Sequence, residues 1–225
     1  LRTRIRGEIA LLLGTDEIRA ERPSVRDEVE QGLYFVENTI WETVPQIHRD
    51  LQRSLRRHFG SALDFDPVLR YRSWIGSDRD GNPRVTPDVT RWTVATQRRV
   101  ALEKHIAELG DLRWELSISA RQAEVPGRLT ESIRRDAEEI DLPEEPGPQA
   151  RQEPFRIKLD YVLERLRRLR RAVDDPDAGT GEAPDYDSAR YVEDLELIRD
   201  ALREAGFPEV ADHGRIGRVI VLART

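Results

Sequence analysis

Hydrophobic residues recur at intervals of three and four along most of this chain, and that spacing predicts α-helices. In the first stretch, Ile5, Ile9 and Leu12 share one helical face, and the pattern stops at Gly14. The fold class predicted from the whole pattern is mainly α, with at most one or two short strands.

A second helical pattern begins where Ser24 and Asp27 form a pair typical of a capping box. Its apolar face consists of Val29, Leu33, Val36, Ile40 and Trp41. We expect Pro45 to break this helix, because proline lacks the N–H group that a helix interior uses. A further helix should then end near Gly60.

The middle of the chain contains the best candidate for a strand. Residues 67–76 (PVLRYRSWIG) are rich in strand-forming side chains. Thr86 and Pro87 then suit the N-cap and first position of a helix. We expect that helix to run to about Leu109 and another to begin at Asp111.

A long basic helix is predicted at 155–173 (FRIKLDYVLERLRRLRRAV). Its inward-facing residues should be Ile157, Tyr161, Leu166 and Leu169. Segments rich in Pro, Gly and acidic residues flank it near 141–153 and 174–187, and we expect both to be mobile loops. Ser188 should cap a later helix that ends at Gly206.

Composition excludes several classes of function. The net charge of −6 argues against nucleic acid as the main partner. The absence of cysteine excludes disulfides and thiolate chemistry and fits a cytoplasmic location. No apolar run is long enough to span a membrane. The four histidines include no pair four residues apart, so we expect no zinc site and predict that all four lie on the surface.

The stretch 73–91 (SWIGSDRDGNPRVTPDVTR) concentrates glycines and charges just before a helix. Asp78, Asp80 and Asn82 alternate as in a calcium loop, but glycine is fourth instead of sixth and the twelfth residue is not Glu, so that hypothesis fails. Two interpretations remain. The stretch is an ordinary polar turn, or Arg79, held between two carboxylates, is a preorganised group that faces an anion.

The same stretch resembles a block of the phosphoenolpyruvate carboxylase family, SWMGGDRDGNP followed by VTP and TR. Other motifs resemble that family in the same order, namely TDEIR at 15–19, RPSVRDE with ENTIW and VP at 22–45, WELS at 114–117 and EPFR at 153–156. Ile75 and Ser77 depart from the family pattern. Because the chain also contains no methionine, we expect residues 1–225 to be a single α-rich segment of a longer enzyme.

The resemblance implies an enzyme built around an eight-stranded β/α barrel. Such an enzyme carboxylates phosphoenolpyruvate with bicarbonate, using Mg²⁺ or Mn²⁺, and releases oxaloacetate and phosphate by way of carboxyphosphate and the enolate of pyruvate. The resemblance also implies a cytoplasmic, allosteric homotetramer. The family's catalytic histidine, metal ligands and main phosphate-binding residues lie outside this segment, which should therefore be inactive without the rest of the polypeptide.

The resemblance further implies that this segment supplies one wall of the substrate pocket. In the family, the tryptophan that matches Trp74 lies against the pocket, and the turn that begins at Gly76 and ends at Asn82 shapes its rim. We expect Asp78, Arg79 and Asp80 to form the network that supports this turn. The other tryptophans should be core or interface anchors: Trp41, Trp92 and Trp114.

The resemblance also implies roles for two arginines and a helix for the tail. Arg19 and Arg156 match positions that bind an activating sugar phosphate in plant members, and surface ion pairing is an equal alternative for both. The tail 214–225 has strand propensity, but the family places a helix there, and we expect a helix.

A function from another class stays open. The chain would then be a stand-alone helical interaction domain whose basic helix, 154–173, docks an acidic partner. A segment of a larger enzyme should instead expose a large apolar face when isolated.

Overall fold

The computed structural model describes residues 2–14, 23–60, 65–144, 147–148, 150–174 and 186–225. Within those ranges the chain forms α-helices joined by loops, with no β-strand, so the mainly α prediction is confirmed. The helices are α1 Arg2–Gly14, α2 Val25–Phe35, α3 Trp41–Phe59, α4 Pro87–Glu115, α5 Gly127–Glu139, α6 Pro154–Asp174, α7 Ser188–Glu204, α8 Pro208–His213 and α9 Arg215–Arg224.

The predicted break at Pro45 is wrong. A π-helical turn, Val36–Ile40, joins α2 directly to α3, and Pro45 lies inside α3. Pro45 is buried together with Trp41 and Val44. The packing of this face therefore outweighs the loss of the hydrogen bond that proline cannot donate.

The predicted helix boundary before Asp111 is also wrong, because α4 continues through Gly110. Leu109 and Leu112, on either side of that glycine, have no exposed surface. Their burial holds the helix together across a residue that disfavours helix. After α4 the chain forms α5, a helix that the sequence pattern did not predict.

The strand predicted at 67–76 does not form. Val68, Tyr71 and Trp74 are exposed there, and the described parts of the chain contain no strand that could pair with them. Strand propensity depends on such a partner surface. The tail, by contrast, forms α9 as expected, and α9 buries Ile216, Val219, Ile220, Val221 and Leu222.

The two loops predicted near 141–153 and 174–187 lie only partly within the described residues. In the described part of 141–153 the regular structure is one 3₁₀ turn, Ala150–Gln152. Most of 174–187 lies outside the described residues. The cap of α7 is Asp187 rather than Ser188, because the Asp187 side chain accepts the Arg190 N–H at 2.9 Å.

The core surrounds α6. Phe155, Leu159 and Val162 on this helix have no exposed surface and belong to a cluster with residues of α4, α5, α7 and α9. Of the residues predicted to face inward, Tyr161, Leu166 and Leu169 are buried, while Ile157 is half-buried. The helix that the sequence marks as strongly basic is thus the most central one.

A buried ion cluster joins α5, α6 and α7. The Lys158 ammonium lies 2.7 Å from Asp136 and 2.5 Å from Asp194. Arg165 lies 2.7 Å from the other Asp136 oxygen and 2.9 Å from Glu139. Lys158 has no exposed surface. A charge held away from water needs such partners, so this cluster couples the three helices.

Two of the four histidines are not surface residues, which corrects the prediction. His48 is buried, and its ring centroid lies 4.7 Å from that of Phe65. His105 lies between Trp41 and Tyr191, with ring centroids at 4.9 and 5.2 Å. Loss of water around His105 lowers its pKa to about 4, against a smaller opposing effect of a nearby glutamate. His105 is therefore a neutral packing residue.

Candidate functional site

The stretch 73–91 begins with a tight turn at Trp74. The N–H groups of Ser77 and Asp78 both donate to the Trp74 carbonyl oxygen at 3.0 Å. The Ser77 hydroxyl donates to the same oxygen at 3.0 Å. These bonds fix the backbone that carries the Trp74 side chain.

A second turn follows at once. Asp78 accepts the Asp80 N–H on its side chain at 3.1 Å, as in an Asx turn. The Asn82 N–H donates to the Arg79 carbonyl oxygen at 2.9 Å. The Asn82 side chain accepts the Arg84 N–H at 3.1 Å. Asp78 and Asn82 therefore shape the loop through their own side chains.

Gly76 joins this loop to the helices beneath it. Its φ is +79°, and a Cβ atom there would lie 2.3 Å from Thr93 Oγ1 and 2.9 Å from Val29 Cγ2. Its carbonyl oxygen accepts the Thr90 hydroxyl at 3.1 Å. The turn is thus clamped between α2 and α4, and only glycine fits at this position.

The side chains on the rim of the turn are exposed. Trp74 is 72% exposed, an unusual state for such a large aromatic residue. Arg79 is also exposed and forms no ion pair with any residue that the structure describes. The expected pairing of Arg79 with its two neighbouring aspartates is therefore not formed, and its guanidinium is available to another group.

Only one of the two arginines expected at an effector site lies within the described residues. Arg19 lies outside the described residues. Arg156 lies 2.7 Å from Glu153, and its guanidinium stacks 5.3 Å from the ring centroid of Trp114. Both contacts hold Arg156 against the protein surface.

The described residues do not fit a divalent metal. In the ranges that the structure describes, no group of three or more histidine and carboxylate side chains is placed to hold one. No helix within those ranges is both long enough and apolar enough to cross a lipid bilayer.

The residues that clamp the turn were missed by the sequence analysis. Val29, Thr90 and Thr93 occupy ordinary helical positions, and nothing in their spacing indicates contact with Gly76. Their role depends on how α2 and α4 approach each other, which the sequence pattern does not report.

The exposed face of α1 indicates what kind of protein this is. No residue of α1 is buried, and Ile5, Ile9 and Leu12 are 48, 49 and 65% exposed. Contiguous apolar surface of this kind is typical of a contact with further protein. The fold is thus that of a helical unit suited to packing against further protein, with a hydrogen-bonded loop that presents an aromatic and a cationic side chain.

Comparison with known proteins gives the family. The phosphoenolpyruvate carboxylase family model matches residues 1–224. A phosphoenolpyruvate carboxylase of Rhodothermus marinus is 53% identical over 98% of the chain and 23% of its own length. One of Parasynechococcus marenigrum is 36% identical over 90% of the chain and 22% of its own length. This chain belongs to the phosphoenolpyruvate carboxylase family, and it spans less than a quarter of the length of these relatives.

Proposed function

We propose that the chain is part of an enzyme that adds bicarbonate to phosphoenolpyruvate, giving oxaloacetate and phosphate. Membership of the family supports the reaction. The observation that carries the role of this segment is the exposed Trp74 on a turn clamped by Gly76. We propose that Trp74, Gly76, Asp78, Arg79, Asp80 and Asn82 build one wall of the substrate pocket.

The proposed reaction requires a pocket wall that excludes water. Before the enolate reacts with carbon dioxide, a proton from water would convert it to pyruvate. The indole of Trp74 is a large apolar surface suited to that task. The Arg79 guanidinium, which has no ion-pair partner among the described residues, adds positive charge that favours an anionic substrate. Because the backbone beneath is already fixed, little reorganisation is needed when substrate binds.

The other properties of the enzyme are proposed from the resemblance. Mg²⁺ or Mn²⁺ would be held by residues outside this segment. The enzyme would be a cytoplasmic homotetramer. Arg156, and Arg19 beyond the described residues, would contribute to an effector site if an activator displaced the ion pair of Arg156 with Glu153.

The alternative of a stand-alone domain that docks an acidic partner finds less support. Most arginines of α6 already pair within the chain: Arg165 with Asp136 and Glu139, Arg168 and Arg171 with Glu164, and Arg170 with Glu103. The exposed Arg167 has no ion pair among the described residues. A helix most of whose charges are satisfied internally offers little to an outside partner.

One experiment tests both the proposed reaction and the role of Arg79. It uses the full-length enzyme of which this chain is a segment, which we call the parent. We expect bicarbonate-dependent oxaloacetate formation, followed with malate dehydrogenase, to fall about tenfold in Arg79→Ala, because one charge-assisted contact to substrate is lost. The thermal midpoint should not change, since Arg79 is exposed and unpaired among the described residues.

Other outcomes would contradict this proposal. A native parent that makes no oxaloacetate would refute the reaction. An Arg79→Ala variant with full activity would mean that the loop is only a well-formed turn.

A further inference from the structure

A cleft of about 480 Å³ lies between α3, α7, α8 and α9. We call it the arginine cleft, because arginines line it from three helices: Arg49, Arg53 and Arg56 from α3, Arg199 and Arg203 from α7, and Arg224 from α9 among them. Asp212 is the one acidic residue in its described lining. The cleft shares no residue with the turn at Trp74.

The arginines on one side of the cleft are held in place by carboxylates. Arg203 lies 2.6 Å from Asp212. Arg218, which also lines the cleft, lies 2.8 Å from Glu42 and 2.9 Å from Glu108. These carboxylates offset much of the positive charge on this side of the cleft.

The arginines that α3 contributes to the cleft, by contrast, have few carboxylate partners among the described residues. Arg49 and Arg56 form no ion pair with any residue in the described ranges, and Arg53 has one partner, Asp50, at 3.7 Å on open surface. Positions 49, 53 and 56 follow one another by four and three, so their side chains share one helical face. Like charges at that spacing repel each other and destabilise a helix.

The position of Arg56 in the last turn of α3 offers only a partial explanation. Cations near a helix C-terminus are stabilised by the macrodipole. That effect fades within one turn, so it does not account for Arg49, in the middle of the helix. A row of arginines facing a cleft is better explained by an anion between the walls.

We propose that the arginine cleft binds a small organic polyanion with two or more phosphate or carboxylate groups. Its volume suits a metabolite. The planar guanidinium binds both kinds of group through paired hydrogen bonds. The buried side chains of Ala211, Ile220 and Val221 line its floor and would contact the carbon skeleton. The proposal does not depend on the reaction proposed above.

The test is isothermal titration of the full-length parent, without added metal, with pyrophosphate and separately with citrate. In the double variant Arg49→Ala/Arg56→Ala we expect the Kd of the preferred probe to rise at least about tenfold, because two charge-assisted contacts are lost. The probe that binds tighter shows whether phosphate or carboxylate is preferred. Arg57→Ala is the matched control, since Arg57 is an exposed residue of the same helical turn that does not line the cleft.

A second variant tests the cleft by shape instead of charge. A Cβ atom on Gly217 would have only backbone oxygens near it, at 3.8 and 4.0 Å, so α9 accepts a side chain there. Gly217→Leu should fill the cleft and weaken binding by a similar factor. If neither probe binds the native parent, or if all variants bind as the native parent does, the anion lies elsewhere and the proposal is wrong.

Discussion

Replacing Gly76 by alanine in the full-length parent should abolish most of the activity. The new Cβ would lie 2.3 Å from Thr93 Oγ1, and Thr93 is 1% exposed on a packed helix, so it has no room to move. The left-handed backbone at φ +79° adds about 1 kcal/mol. Together we expect a cost of about 3 kcal/mol, comparable with overpacking a core. The turn should shift away from α4, and Trp74 should shift with it.

Gly81→Ala is the matched control for this prediction. Gly81 has nearly the same backbone, with φ +73°, but a Cβ atom there would have no neighbour within 4 Å. Only the backbone cost should remain. We would measure oxaloacetate formation and the thermal midpoint of both variants. Equal losses in the two would show that the close contact with Thr93 has no role in holding the turn.

The second large effect should come from Asp136→Ala. This change removes the carboxylate that lies 2.7 Å from both Lys158 and Arg165, and leaves these two cations to share Asp194 alone in the core. Removing one partner of a buried ion pair costs about 3–5 kcal/mol, because the remaining charge stays desolvated. Two buried cations that share one carboxylate are only partly compensated, so we expect a cost near the lower end of that range. We expect the thermal midpoint of the parent to fall by several degrees, and more if the rest of the enzyme depends on this segment.

Glu131→Ala on the same helix is the control. Glu131 pairs with Arg134, but both side chains are more than half exposed, so the pair contributes little. Its variant should melt as the native enzyme does. If Asp136→Ala also melts normally, the existing contact with Asp194 is sufficient for Lys158, and Asp136 does not couple the three helices.

The sequence predicted the helices well where a long apolar face exists. The capping box at Ser24, the Thr86 cap and the end at Gly60 are all confirmed. The predicted breaks failed because burial outweighed local preference at Pro45 and Gly110. The local sequence pattern reports helix propensity. Whether a helix continues depends also on how its side chains are buried against neighbouring helices.

The candidate site was predictable only as a loop. Asp, Gly and Asn in the stretch after Trp74 predict a turn from their own chemistry. The clamp on Gly76 was not predictable, because Val29 and Thr93 reach it from separate helices. Burial of charge was equally hidden, since the Lys158 cluster needs three helices to meet. Most arginines of the basic helix α6 are likewise paired in the fold, which the charge pattern of the sequence did not indicate.

The central claim is that Trp74 forms a wall of the carboxylation pocket. The most direct test compares Trp74→Ala with Trp114→Ala in the full-length parent, because these tryptophans are 72% and 71% exposed. Oxaloacetate and pyruvate would be measured together, since an enolate exposed to water is protonated to pyruvate. The account predicts that Trp74→Ala keeps its thermal midpoint, makes oxaloacetate about tenfold more slowly and releases relatively more pyruvate. Trp114→Ala, assayed without effector because Trp114 contacts Arg156, should resemble the native enzyme. Equal behaviour of the two variants, or a loss of rate that only follows a loss of folding, would contradict it.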